Sequence, residues 1–105
     1  MDARPLADLV RLQADAGRPY LEFIRSQAMS VGLYVLEPGA VDRQSPHFED
    51  EIYVVLAGRS QFTASTRTRD VAPGDVIYVP AGVPHRFHDI TEQLRVIVVF
   101  APPET

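Results

Sequence analysis

The 105-residue chain is expected to fold as one all-β domain, a sandwich or barrel preceded by a short helix, and three observations carry that expectation. From Tyr20 onward, short runs rich in Val, Ile, Tyr, Phe and Thr are broken at fairly regular intervals by the turn-forming stretches EPGA, AGRS, APGD and PAGVP. Ahead of Tyr20, a single stretch places apolar residues at helical spacing. The chain also lacks cysteine, so disulfide staples and thiolate metal ligands are both excluded.

In chain order, Pro5 to Ala16 carries Leu6, Leu9, Val10 and Gln13 at helix-like spacing, with Pro5 suited to the first turn and Gly17 placed to end the helix. Residues 1–19 thus read as an N-terminal helical segment and 20–105 as the β-barrel domain. Strands are expected at Tyr20–Ser26, Ser30–Glu37, Glu51–Ala57, Ser60–Thr66, Asp75–Val79, His85–Phe87 and Leu94–Phe100, with Gly58 and Arg59 completing a hairpin between the third and fourth. The runs Ile52 to Leu56 and Val96 to Phe100 show little polar alternation, so both faces of those strands should be covered. A homodimer is the simplest cover for the outer face. No internal repeat, low-complexity tract or linker interrupts the chain, and the APPET segment after the last strand is expected to be loosely ordered.

Composition excludes several functions. A formal net charge of −4, without clustered basic residues, argues against nucleic acid as a partner. No apolar run approaches the roughly 18 residues of a membrane span, and the N-terminus lacks the basic-then-apolar order of a signal peptide, so a cytoplasmic protein is expected.

The chemistry centres on three histidines, His47, His85 and His88. His47 lies in QSPHFEDE, whose acidic run Glu49, Asp50 and Glu51 would alone read as a solvated turn. In an extended segment Ser45, His47, Glu49 and Glu51 share one parity, while His85 and Phe87 point opposite to Arg86 and His88. An imidazole and a nearby carboxylate, joined by an imidazole from a distant strand, form a two-histidine, one-carboxylate set with open coordination positions. Such nitrogen and oxygen donors suit a divalent Zn, Fe, Mn, Ni or Cu ion without choosing among them. Parity with Glu51 puts Tyr53 and Val55 inside the barrel; Tyr34, Phe62 and Tyr78 are further candidates for lining its cavity, whose aromatic walls fit a small organic molecule. Arg25 and Arg95, in β-like runs, are expected at the surface.

The stretch GAVDRQSPHFEDEIYVVLAG, Gly39 to Gly58, resembles the first motif of the cupin superfamily, and GDVIYVPAGVPHRFHD, Gly74 to Asp89, resembles the second. The resemblance implies a double-stranded β-helix, or jelly-roll, barrel of small single-domain type, with His47, Glu51 and His85 as metal ligands. It also implies that Ser45 stands where the family has the first of its histidines and Asp89 where it has an asparagine. Metal-dependent oxygenases, isomerases and lyases all fall within what the resemblance allows, with Glu49 or Tyr53 as a candidate general base and Ser45, Glu49, Tyr53 and Phe87 around the pocket. The loss of one ligand to Ser45 keeps open a second reading, a non-catalytic cupin that binds or senses a small ligand around a weak, structural or absent metal.

Overall fold

The computed structural model describes residues 1–44 and 47–105, so Ser45, the residue in the first-histidine position, lies outside the described residues. Helix α1 (Leu6–Ala16) begins after Pro5, whose extended backbone presents its carbonyl to Asp8 N–H at 3.0 Å. It ends at Gly17, where a left-handed φ of 68° lets the Gly17 N–H reach the Ala14 carbonyl. Leu9 and Val10 of α1 pack with Phe23, Leu33, Val35, Leu56 and Ile97. The helix therefore covers part of the outer face of the sheet, which accounts for strands that are apolar on both sides. Beyond its reach Ile52, Val76 and Tyr78 remain exposed.

Six strands follow: β1 (Tyr20–Arg25), β2 (Ser30–Leu36), β3 (Asp50–Ala64), β4 (Arg67–Val71), β5 (Val76–Val79) and β6 (His85–Ala101). They form one antiparallel sheet in the order β1-β2-β6-β3-β4, with β5 also paired to β3. The long strands β3 and β6 run side by side from Asp50 opposite Ala101 to Ala64 opposite His85. Register shifts between Val55 and Gln61 bend both, so the two halves of the sheet face each other across a shared interior. Tyr53 from one half of β3 and Phe62 from the other meet edge to face, with ring centroids 5.7 Å apart. Phe87 closes the cluster, fully buried and 4.9 Å from Tyr53 and 4.8 Å from Phe62.

Two expected strand pairs are thus single bent strands, and the hairpin expected at Gly58 and Arg59 is a bulge instead. Gly58 sits at φ 95°, and a β-carbon there would lie 2.2 Å from the Gln93 carbonyl oxygen of the neighbouring strand, so only glycine lets β3 bend this close to β6. The hairpin falls at Ser65 and Thr66, with Ser65 in the left-handed region at φ 55°. It leads into β4, whose sequence RTRDV hides a strand behind charged residues, as suits a solvent-facing edge. Among the described residues, no helix is long and apolar enough to cross a membrane.

The APPET segment is also fastened rather than loose. Glu104 N–H donates to the buried Ser30 hydroxyl at 2.9 Å, and Arg25 donates to the Glu104 carbonyl at 3.0 Å while its other nitrogen pairs with Glu22. These bonds lay the segment across one end of the barrel.

Candidate metal centre

His47 sits in the bend ahead of β3, Glu51 is the second residue of β3, and His85 is the first of β6. The closing of the sheet brings all three together at one end of the interior, with one ligand atom from each within 4.8 Å of the others. His85 Nε2 lies 2.8 Å from Glu51 Oε1, and His47 Nε2 lies 4.0 Å from the same oxygen. The other nitrogen of His85, Nδ1, is 2.8 Å from the Val83 carbonyl, which fixes it as the protonated nitrogen and leaves the Nε2 lone pair aimed inward.

Glu51 Oε1 and His85 Nε2 are both buried without a partner in bonding geometry, despite their 2.8 Å approach. A carboxylate oxygen and an imidazole nitrogen brought this close favour positive charge between them, as a proton on Nε2 or as a metal ion, since a buried acceptor left unmet costs about 1–3 kcal/mol. Donors around a metal with bonds of about 2.0–2.2 Å lie about 3 Å apart, so this spacing fits one ion. Burial on its own lowers the His85 pKa, but the Glu51 carboxylate and the Val83 carbonyl outweigh it and hold the imidazole above its ordinary value. That attraction for positive charge is what a bound cation would satisfy in the proton's place.

Beside the group opens a cavity of about 230 Å³, lined by Tyr20, Tyr34, Arg43, Gln44, Tyr53, Val98, Phe100 and Glu104 together with His47 and Glu51 of the group. Tyr20 reaches it because β2 has Gly32 beneath the ring; a β-carbon there would lie 2.2 Å from Tyr20. Burial pushes all three phenols well above their usual range, with Glu104 adding at Tyr20, Asp42 at Tyr34 and Glu51 at Tyr53. All three hydroxyls therefore stay protonated and serve as donors. Glu104 is likewise raised, by burial first, with His47 pulling the other way; its Oε2 is 3.9 Å from His47 Nδ1.

The remaining expected site residues are placed differently. Glu49 is buried but turns toward the APPET segment, where Thr105 N–H is 3.5 Å from its carboxylate. Strand alternation does not reach it, because the extended run begins only at Asp50. Phe87 supports Tyr53 from below and does not line the cavity. Tyr34 and Phe62 point inward, whereas Tyr78 is exposed on the outer face. His88 stands apart, bonded to Thr63 at 2.6 Å and to Asp89 at 2.9 Å. Asp89 itself has φ 50°, a conformation that Asn and Asp adopt more readily than other side-chain-bearing residues. Arg25 and Arg95 bond Glu22 and Gln93 respectively.

Tyr20, Asp42, Arg43, Gln44 and Glu104 escaped the sequence reading. Asp42 is a buried carboxylate that accepts from Tyr34 Oη at 2.6 Å, Gln44 Nε2 at 2.7 Å and Phe87 N–H at 2.9 Å. Both Asp42 and Gln44 lie in an irregular stretch without a period to follow, and closeness to His47 was their one signal. Glu104 gave none.

A family profile described as "Cupin domain" matches residues 32–100. An uncharacterised protein of Streptomyces coelicolor is 50% identical to this chain over 105 residues, covering 100% of each. Among solved structures, an RmlC-like cupin family protein with a double-stranded β-helix fold from Methanocaldococcus jannaschii superposes with a TM-score of 0.70 at 19% identity, over 79% of this chain and 78% of its own. The DMSP lyase DddQ of Ruegeria pomeroyi superposes with a TM-score of 0.70 at 23% identity, over 87% of this chain and 51% of its own. At such identities both structures speak for the fold alone.

Proposed function

The chain belongs to the cupin domain family, and on that premise we propose that it is a divalent-metal enzyme acting on a small, oxygen-bearing organic molecule. The observation that carries the reading is the buried, unpartnered pair Glu51 Oε1 and His85 Nε2, which opens onto a cavity together with His47. His47, Glu51 and His85 would hold the ion, and a divalent ion bound there supplies a Lewis acid that polarises a substrate carbonyl or carboxylate oxygen. The cavity is smaller than the roughly 300–1,000 Å³ typical of drug-sized ligands, so the substrate is correspondingly compact.

The chain's own residues then favour proton transfer. Glu104 presents a carboxylate to the cavity wall and takes a proton from a carbon beside the bound oxygen. Tyr53, buried and neutral, holds a proton to return, and the Tyr20 hydroxyl, without a partner of its own, donates to the substrate. The general base thus moves from Glu49 or Tyr53, as the sequence suggested, to Glu104. Isomerisation or elimination uses all of these groups, whereas an oxygenase role would leave Glu104 and Tyr53 idle.

The test is exchange of carbon-bound protons of small keto and hydroxy acids in D2O, followed by NMR, with protein reconstituted in turn with Zn, Fe, Mn and Ni. Exchange that is lost in Glu51→Ala and sharply reduced in Glu104→Gln supports the reading. Tight binding of such acids without exchange under any metal favours the second reading, a ligand-binding cupin, which the serine at position 45 continues to support. For its partner we propose a second copy of the chain, seated on the exposed outer apolar face around Ile52, Val76 and Tyr78.

A further inference from the structure

We infer that Gln44 supplies a fourth metal ligand through its side-chain carbonyl oxygen, in place of the histidine that the chain lacks at the next position. The inference rests on the metal-binding reading above and specifies the composition of the coordination shell.

The orientation of the Gln44 amide follows from its neighbours. Asp42 Oδ2 lies 2.7 Å from Gln44 Nε2, and a carboxylate only accepts, so the NH2 end must face Asp42 and the Oε1 end must face the cavity. Asp42 is itself held rigidly by Tyr34 and by the Phe87 backbone, so the amide cannot turn over without breaking that array. Thus directed, Gln44 Oε1 lies 3.3 Å from His47 Nε2 and 3.2 Å from the Tyr53 hydroxyl.

Its contact with His47 is informative. His47 Nε2 and Gln44 Oε1 lie 3.3 Å apart, close to the spacing of neighbouring donors around one metal ion. The amide oxygen thus stands beside a nitrogen of the group much as Glu51 Oε1 stands beside His85 Nε2 at 2.8 Å. The Tyr53 hydroxyl occupies one lone pair of the amide oxygen, and the second faces His47 Nε2. A cation held by His47, Glu51 and His85 would have the amide oxygen of Gln44 beside it. A neutral amide oxygen is a hard donor, so the shell becomes two imidazoles, one carboxylate and one amide, with a net ligand charge of −1 and a bias toward oxygen-preferring ions.

The experiment is titration of the apoprotein with Co(II), followed by visible absorption, in wild type, Gln44→Leu, Gln44→Glu, Tyr53→Phe and the double variant His47→Ala, His85→Ala. Wild type is expected to bind one Co(II) per chain, and Gln44→Leu to bind it about tenfold or more weakly with an altered ligand-field spectrum. Gln44→Glu, which restores an oxygen donor, should recover binding, and Tyr53→Phe, which removes the hydroxyl facing Gln44 and Glu51 but no donor to the ion, should lose less affinity than Gln44→Leu. Wild-type affinity and spectrum in a folded Gln44→Leu would overturn the inference while leaving the metal site standing. An equal loss in Tyr53→Phe and Gln44→Leu would also overturn it, by showing that Gln44 acts only through its hydrogen bonds. Absence of Co(II) binding in the wild type would instead sink the metal reading itself.

Discussion

Asp42→Ala is expected to destabilise the apoprotein by about 3 kcal/mol. Asp42 is 4% exposed and accepts three hydrogen bonds, from the Tyr34 hydroxyl, the Gln44 amide and the Phe87 backbone. Bonds to a charged acceptor contribute about 1.5–3 kcal/mol each, but the losses are unequal. Tyr34 and Gln44 border the cavity and regain water when the carboxylate is gone. The Phe87 N–H, on a fully buried residue between Tyr53 and Phe62, does not. The net cost is therefore close to one unmet buried donor plus a fraction of the other two bonds, about 3 kcal/mol, partly relieved by no longer burying a charge. With a urea m-value of about 1–2 kcal/mol/M for a chain of this size, the midpoint should fall by about 2 M. Asp42→Asn keeps the shape and one acceptor, so about half that fall is expected, together with weakened metal binding as Gln44 loses its anchor. A midpoint within about 0.3 M of wild type in Asp42→Ala would refute the role assigned to this carboxylate as the support of both the barrel and the site.

Gly58→Ala combines a β-carbon 2.2 Å from the Gln93 carbonyl with a strained φ of 95°, and should cost about 3 kcal/mol or more; Gly39→Ala, at φ 77° with open space around it, should cost only about 1 kcal/mol, both read from urea midpoints. Phe87→Ala empties the centre of the aromatic cluster and should cost about 3–5 kcal/mol in the same assay. The pH dependence follows from His85, whose pKa is raised in the fold above its ordinary 6.5. In the metal-free protein its contribution to stability is fully present below 6.5 and is lost as pH rises through the raised value. A metal ion must displace that proton, so zinc affinity measured by calorimetry should begin to fall on acidification while the pH is still above 6.5, with about one proton released per ion bound. Zinc affinity unchanged from pH 8 to pH 6 would contradict this.

The resemblance to the two cupin motifs made the grouping of His47, Glu51 and His85 legible, because those motifs tie the three residues to Gly39, Gly58, Gly74 and Gly82 at spacings that survive however the strands bend. The sequence made the interior legible where strands are regular: Tyr53, Val55 and Phe87 lie inside as alternation requires. Alternation does not reach Glu49, because β3 begins only at Asp50; β3 was split in two because a glycine bulge and a glycine hairpin look alike in sequence, and β6 because the polar stretch HDITEQ between its apolar ends reads as a loop. Strand β4 was missed for a related reason, since an exposed edge strand carries charge where a buried one carries Val or Ile. The supports of the site were illegible for a different reason. Asp42 and Gln44 act from an irregular stretch whose direction is set by hydrogen bonds to Tyr34 and Phe87, and Glu104 arrives from the far end of β6 through contacts with Ser30 and Arg25. Such long-range positioning leaves no local pattern behind.

The central claim, a divalent ion held by His47, Glu51 and His85, is tested most directly by elemental mass spectrometry of protein purified without a histidine tag, beside the His47→Ala, His85→Ala variant. Close to one metal per chain in the wild type, and almost none in a folded double variant, is the predicted result, and it would also name the element. A wild type that stays metal-free after reconstitution with Fe, Zn, Mn and Ni, or a double variant that retains its metal, would contradict the claim.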